Sequence, residues 1–138
     1  MTTAAECAVY KGPTSWTPSM TVGAGSVTID SATGHYSRDG NVVHIQGQIQ
    51  LQAINSPSGD CYITGLPFPQ SVGKAIFIIN YENTGNVYAG LSGCINGTES
   101  RIQLMELTQD GAVGILADTT NLVFTNNTKL EFLGFYFV

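Results

Sequence analysis

Ten consecutive residues near the middle of the chain alternate strictly between two kinds of side chain. The apolar or small set is Val43, Ile45, Gly47, Ile49 and Leu51, and the intervening polar set is His44, Gln46, Gln48, Gln50 and Gln52. Successive side chains of a β-strand point to opposite faces, so a period of two over this length predicts one long strand with one face on a core. The segment therefore indicates a sheet protein.

The polar face of this strand consists almost entirely of glutamine. A strand face open to water normally carries Lys, Glu, Thr and Ser. Amides suit a polar surface that is buried against copies of itself, because each amide offers both donors and acceptors. We therefore expect a symmetric oligomer whose interface contains His44, Gln46, Gln48 and Gln50, and the alternative is an ordinary solvated face that is rich in glutamine.

The composition restricts the class of protein and its partners. A chain of 138 residues predicts one domain with a single core. Charged residues make up only 11%, less than half the usual quarter, and the 16 glycines favour short strands joined by tight turns. A net charge of -5 with five Lys and Arg argues against a nucleic-acid partner. No apolar run is long enough to span a membrane, and the N-terminus lacks a secretion signal, which predicts synthesis in a host cytoplasm.

The order of strand-like runs and turns predicts the fold. Residues 1–15 contain the Gly12-Pro13 breaker and no sustained period, so we expect an N-terminal arm followed by one domain over residues 16–138. Asp39-Gly40 is a strong hairpin signal, and Ser56–Gly59 is interpreted as a turn that ends the long strand. Eight to ten strands, with turn residues every eight to twelve positions, predict an all-β, antiparallel β-sandwich of the jelly-roll kind.

Two further segments are apolar on both faces. One is Lys74–Tyr81, which is typical of a central strand or a subunit contact. The other is Lys129–Val138, one face of which holds Leu133, Phe135 and Phe137 and the other Leu130, Phe132, Gly134, Tyr136 and Val138. A terminal strand left exposed in this form would be prone to aggregate, so we expect it at the centre of the sheet or between subunits, and we place Phe135 and Phe137 in the subunit interface.

The chain contains no recognisable catalytic constellation, so we expect no enzyme activity and no cofactor. The ten acidic residues are scattered, and no helix follows a glycine cluster. His35, His44 and Asp39 flank one hairpin, but we interpret their proximity as incidental and predict no metal site. Cys61 and Cys94 are expected to be small buried residues within strands.

Aromatic residues offer a second class of site. Trp16, Tyr36 and Tyr81 lie near predicted turns, where an aromatic ring stacks well on the face of a sugar. Strand aromatics more often pack in a core or against the neighbouring strand. The sequence leaves both interpretations open, with glycan contact as the functional one.

Several motifs together carry a resemblance to a known family. They are, in chain order, Trp16-x-Pro18, Gly34-x-Tyr36-x-Arg38-x-Gly40, the alternating strand, and Gly65-Leu66-Pro67-Phe68. In this order they resemble a β-sandwich domain of tailed-bacteriophage virion proteins, from about Ser15 to the C-terminus. The resemblance implies a homotrimer, located at the tips of tail fibres and tailspikes or on capsids as a decoration protein. It carries no catalytic residues over to this chain.

The resemblance and the short arm lead to one preferred function and one alternative. The preferred one is a homotrimeric decoration (cement) protein on the outer surface of a phage head, in which Val9, Tyr10 and Lys11 contact the major capsid protein. The alternative is a receptor-binding module of a tail or head fibre, which recognises host surface glycan.

Overall fold

Eight β-strands account for most of the chain that the structure describes. The computed structural model describes residues 12–85, 90–107, 113–115 and 124–138. The strands are β1 (Thr14–Trp16), β2 (Ser19–Asp39), β3 (Val42–Thr64), β4 (Lys74–Glu82), β5 (Gly90–Asn96), β6 (Ile102–Leu107), β7 (Val113–Ile115) and β8 (Lys129–Phe137). Asp39 ends β2 and Val42 begins β3, so the structure has the predicted hairpin, but Gly40 and Asn41 form its turn instead of Asp39 and Gly40.

Five of these strands close into a barrel. The ring runs β3–β8–β4–β5–β6 and returns to β3, and each of its pairings is antiparallel. Outside the ring, β2 pairs with β3, β1 pairs with β2, and β7 pairs with β6. The all-β class is correct, but the predicted β-sandwich with jelly-roll topology is wrong, because a single sheet closes on itself instead of stacking on a second sheet.

The length and bending of β3 make this closure possible. An odd number of strands cannot alternate in direction all round a ring, so one strand must change direction. Residues 42–50 of β3 pair with β8, while Tyr62 and Ile63 pair with β6. Between these two parts the ladder to β2 has several register shifts, and β-bulges of this kind bend and twist a strand.

Positive backbone angles lie within the bent region. Ser56 has a φ of 43° and Gly59 a φ of 78°, and Gly25 on the opposite strand has a φ of 71°. The predicted turn at Ser56–Gly59 is therefore wrong, since these residues form an irregular part of a continuous strand. Gly, Pro and Ser are as common in the irregular backbone of a bulge as in a turn, so the local sequence does not distinguish a bulge from a turn.

The apolar face of β3 forms one wall of the barrel core. Val43, Ile45, Ile49 and Leu51 are buried, as the alternation predicts. Opposite them, the Phe132 ring of β8 occupies the space into which a side chain at position 47 would project, and the Phe77 ring does the same at Gly134. The glycines on the inner face thus make room for aromatic rings of the neighbouring strands.

Two cysteines belong to this interior. Cys61 and Cys94 are buried and not bonded, which confirms the interpretation of both as small buried residues. Burial raises the pKa of Cys61 to about 12, so its thiol stays protonated at neutral pH.

Candidate binding surface on the outer face of the sheet

The outward side chains of β2, β3, β8 and β4 form one surface four strands wide. The strand register places them in cross-strand rows. One row contains His35, Gln46, Leu133 and Ile78, and the next contains Thr33, Gln48, Glu131 and Asn80. With neighbouring strands about 4.8 Å apart, such a row extends about 14 Å across the sheet.

One end of this surface is apolar and exposed. We call it the apolar patch, and it comprises Ile76, Phe135 and Phe137, which are 45–69% exposed. The rings of Phe135 and Phe137 meet edge to face, 6.2 Å between centroids, and the His44 ring lies 5.8 Å from Phe135. Contiguous apolar side chains at this exposure typically mark an interaction surface.

Beside the patch lies a depression of about 400 Å³, lined by the two cross-strand rows, in which Leu133 and Ile78 form the apolar side and the other residues of the rows are polar. We call it the groove. Within the described part of the chain, the side-chain amides of Gln46 and Gln48 have no hydrogen-bond partner. A second depression of about 270 Å³ shares His35, Gln46 and Leu133 with the groove.

The charged group of the groove is already paired. The Glu131 carboxylate lies 2.9 Å from Lys129 Nζ and accepts a hydrogen bond of 3.2 Å from Asn80 Nδ2. The hydrogen bond from the Lys129 ammonium, and after it that from Asn80, lowers the pKa of Glu131. The same contact with Glu131 raises the pKa of Lys129. The groove therefore presents a partly neutralised carboxylate beside neutral amides.

The structure gathers the predicted interface residues on this one surface. His44, Gln46, Gln48 and Gln50 follow each other along the outer face of β3, and Phe135 and Phe137 lie on β8, which pairs with it. Their contact with another copy stays a prediction. Sequence reasoning missed Ile76, Ile78 and Leu133 as exposed residues, although the two-sided apolar pattern of both segments contained the signal.

The predicted glycan-stacking aromatics lie elsewhere, and all three pack partly buried against the core. Trp16 covers Gly34 and meets Phe132 edge-on, with centroids 6.1 Å apart. Tyr36 meets Phe68 edge-on at 5.6 Å. These contacts hold the rings in the fold, and their role toward a glycan stays a prediction.

The remaining predicted sites find little support in the described residues. Val9, Tyr10 and Lys11 lie outside the described residues. Among the residues that are described, no three His, Cys, Asp or Glu side chains gather in a way that would hold a metal ion. His35 pairs with Gln46 and His44 with Ser37, so the two imidazoles are diagonal neighbours on the outer face. The same described residues include no helix long and apolar enough to cross a membrane.

Comparison with solved structures identifies the architecture. The chain superimposes on part of the crystal structure of the Dettilon tailspike protein (gp208), with a TM-score of 0.75 and 22% sequence identity. The chain has the fold of a tailspike segment. The match covers 91% of this chain and 23% of the tailspike, so this chain spans less than a quarter of that protein. Protein-family models and curated proteins give no match.

Proposed function

We propose that this chain is a structural module of a bacteriophage tail, of the tailspike or tail-fibre kind, which takes part in recognising the host surface. The observation that carries the proposal is the fold shared with a tailspike over 91% of the chain. A shared fold does not by itself transfer a function, so the proposal also relies on the exposed surface formed by β2, β3, β8 and β4. The motifs that resemble tailed-phage virion domains agree with it.

The fold comparison favours this role over that of a head decoration protein. The structural match is to a tailspike, and it offers no support for a capsid location or for the major capsid protein as a partner. Decoration of a phage head is therefore the competing hypothesis. Neither role requires a catalytic group, and we propose none.

We further propose that the module works as a homotrimer. The apolar patch is the part of the described surface that most needs a cover, because three large apolar side chains of two neighbouring strands, Ile76, Phe135 and Phe137, face solvent there. Closed symmetric association buries such a patch on every copy and leaves no growing end.

Immunogold electron microscopy of virions that contain this chain tests the location. Antibodies against the folded domain should label the distal tail, with a few to tens of copies per particle. Labelling spread over the head, with hundreds of copies, would contradict the tail proposal and support decoration. An antibody against the major capsid protein serves as the control that labels the head.

A further inference from the structure

We propose that the groove is a binding site for a short, neutral saccharide. The inference rests on the proposed role in host recognition and assigns that role to a new site, apart from Trp16, Tyr36 and Tyr81, which are partly buried against the core. The site consists of the two cross-strand rows that begin at His35 and Thr33.

The hydrogen-bonding groups of the groove match hydroxyl chemistry. A sugar hydroxyl both donates and accepts hydrogen bonds, and so does each glutamine side chain through its amide nitrogen and oxygen. Gln46 and Gln48 are unpaired within the described part of the chain, and Thr33 and His35 lie beside them in the same rows. The groove thus offers four neighbouring polar groups that need not break an internal contact to bind.

The apolar side of the groove suits the C–H faces of a sugar ring. Leu133 and Ile78 complete the row that starts with His35 and Gln46, and both side chains are more than half exposed. Ligand sites typically combine an apolar wall with a few placed polar groups. A purely polar ligand would leave this apolar wall uncovered, whereas a pyranose ring can contact the wall with its C–H face and the polar groups with its hydroxyls.

The charge of the groove selects a neutral ligand. Among the described residues no Lys or Arg lines it, and the one carboxylate in this lining, that of Glu131, is held by Lys129 and Asn80. Sialic acids, uronic acids and phosphates need cationic partners, usually Arg or Lys. The net charge of -5 adds repulsion to any anionic ligand.

NMR titration of the ¹⁵N-labelled full chain tests the inference. The probes are lactose, maltotriose and N,N′-diacetylchitobiose, and 3′-sialyllactose is the acidic comparator. At least one neutral probe should shift the backbone amides of Gln46, Gln48 and Asn80, with weaker binding of the acidic comparator. Gln48→Ala and Asn80→Ala should each weaken that binding by about tenfold, the equivalent of one well-placed hydrogen bond.

Gln52→Ala is the matched control, because Gln52 is an exposed glutamine of the same strand that does not line the groove, and it should bind as the unaltered chain does. No shift with any neutral probe, or a preference for sialyllactose, would overturn the inference. Shifts centred on Trp16, Tyr36 or Tyr81 would overturn the groove and keep glycan recognition. A changed native mass of Gln48→Ala would place Gln48 between copies and likewise reject the groove.

The location experiment is independent of this one. Tail labelling together with a silent groove rejects only the saccharide site. Head labelling rejects the tail module, and the titration still decides whether the groove binds sugar.

Discussion

The inner and outer faces of β3, β8 and β4 are built from alternate residues of the same strands, yet only the inner face has its apolar side chains fully packed. Inside, the Phe132 ring fills the space above Gly47, and Tyr136 has no exposed surface. Outside, the next residues along β8, Leu133 and Phe135, are about half exposed. The barrel therefore completes its interior within one chain, whereas its outer face retains apolar surface that is typical of an interaction site.

The largest expected effect comes from filling the inner face. Gly47→Val would place methyl groups where the Phe132 ring lies, and overpacking of this kind costs about 1–3 kcal/mol or more. Urea unfolding should show the loss in the free energy of unfolding. Gln48→Val, one residue further on the outer face, is the control and should change that free energy by about 0.5 kcal/mol or less. Equal effects of the two variants would contradict the difference between the faces.

The next largest effect is expected on the oligomeric state, from charged substitutions in the apolar patch that leave the fold intact. Ile76→Asp combined with Phe135→Asp puts charges into the apolar patch, and a buried interface tolerates unpaired charges poorly. Light scattering should give about 44 kDa for the unaltered chain, three times the 14.6 kDa chain mass, and the monomer mass for the variant.

Thr28→Asp, an exposed position on β2, is the control for this variant and should keep the mass of the unaltered chain. Circular dichroism should show the same strand content in all three proteins. A monomer mass for the unaltered chain would contradict the proposal that the apolar patch is a contact between copies.

A smaller effect is expected from the one polar atom that Tyr136 brings into the interior. Its hydroxyl accepts a hydrogen bond from the Phe68 amide, at 3.4 Å, and burial raises the pKa of Tyr136. Tyr136→Phe should lower the free energy of unfolding by about 0.5–1.5 kcal/mol, as for a single hydrogen bond. Thermal unfolding of Tyr62→Phe, whose hydroxyl bonds Asp60 at a partly exposed site, provides the comparison and should show a smaller loss. The reverse order would indicate that the Phe68 contact contributes little.

The smallest effect is a pH dependence at the polar end of the outer face. The Lys129 ammonium and the Asn80 amide lower the pKa of Glu131, so the carboxylate stabilises the folded chain above its unfolded pKa, and this contribution is lost as the pH falls through the lowered value. Glu131→Gln should therefore melt slightly below the unaltered chain at pH 7, and the difference should vanish in acid, below the lowered pKa of Glu131. A difference that persists in acid would show that the pair does not act through charge.

Local patterns predicted individual strands better than their arrangement. The alternation over residues 43–52 correctly separated the core set from the outward glutamines. The two-sided pattern of Lys129–Val138 left a central strand and a subunit contact open, and the structure places β8 between β3 and β4, while the subunit contact stays a prediction. The same reasoning broke β2 into short strands and ended β3 at Ser56–Gly59, because bulges and turns use the same residues.

The candidate site shows the same division. The outward direction of Gln46 and Gln48 follows from strand periodicity and polarity, whereas that of Phe135 does not, because both faces of β8 are apolar. Their association with Ile78, Asn80 and Glu131 depends on the register of β8 between β3 and β4, which joins residues about fifty to ninety positions apart. No local pattern encodes that register.

By itself, the sequence determined that this chain is all-β, which side chains in the first half of β3 face inward, and that a tight hairpin joins β2 to β3, because each of these depends on neighbouring residues and a period of two. Only the tertiary structure decided that the sheet closes into a barrel, since closure requires Tyr62 and Ile63 to meet Gln103 and Ile102 across a bend. It also decided that an apolar patch and a polar groove share one face, because long-range pairing sets which rows adjoin.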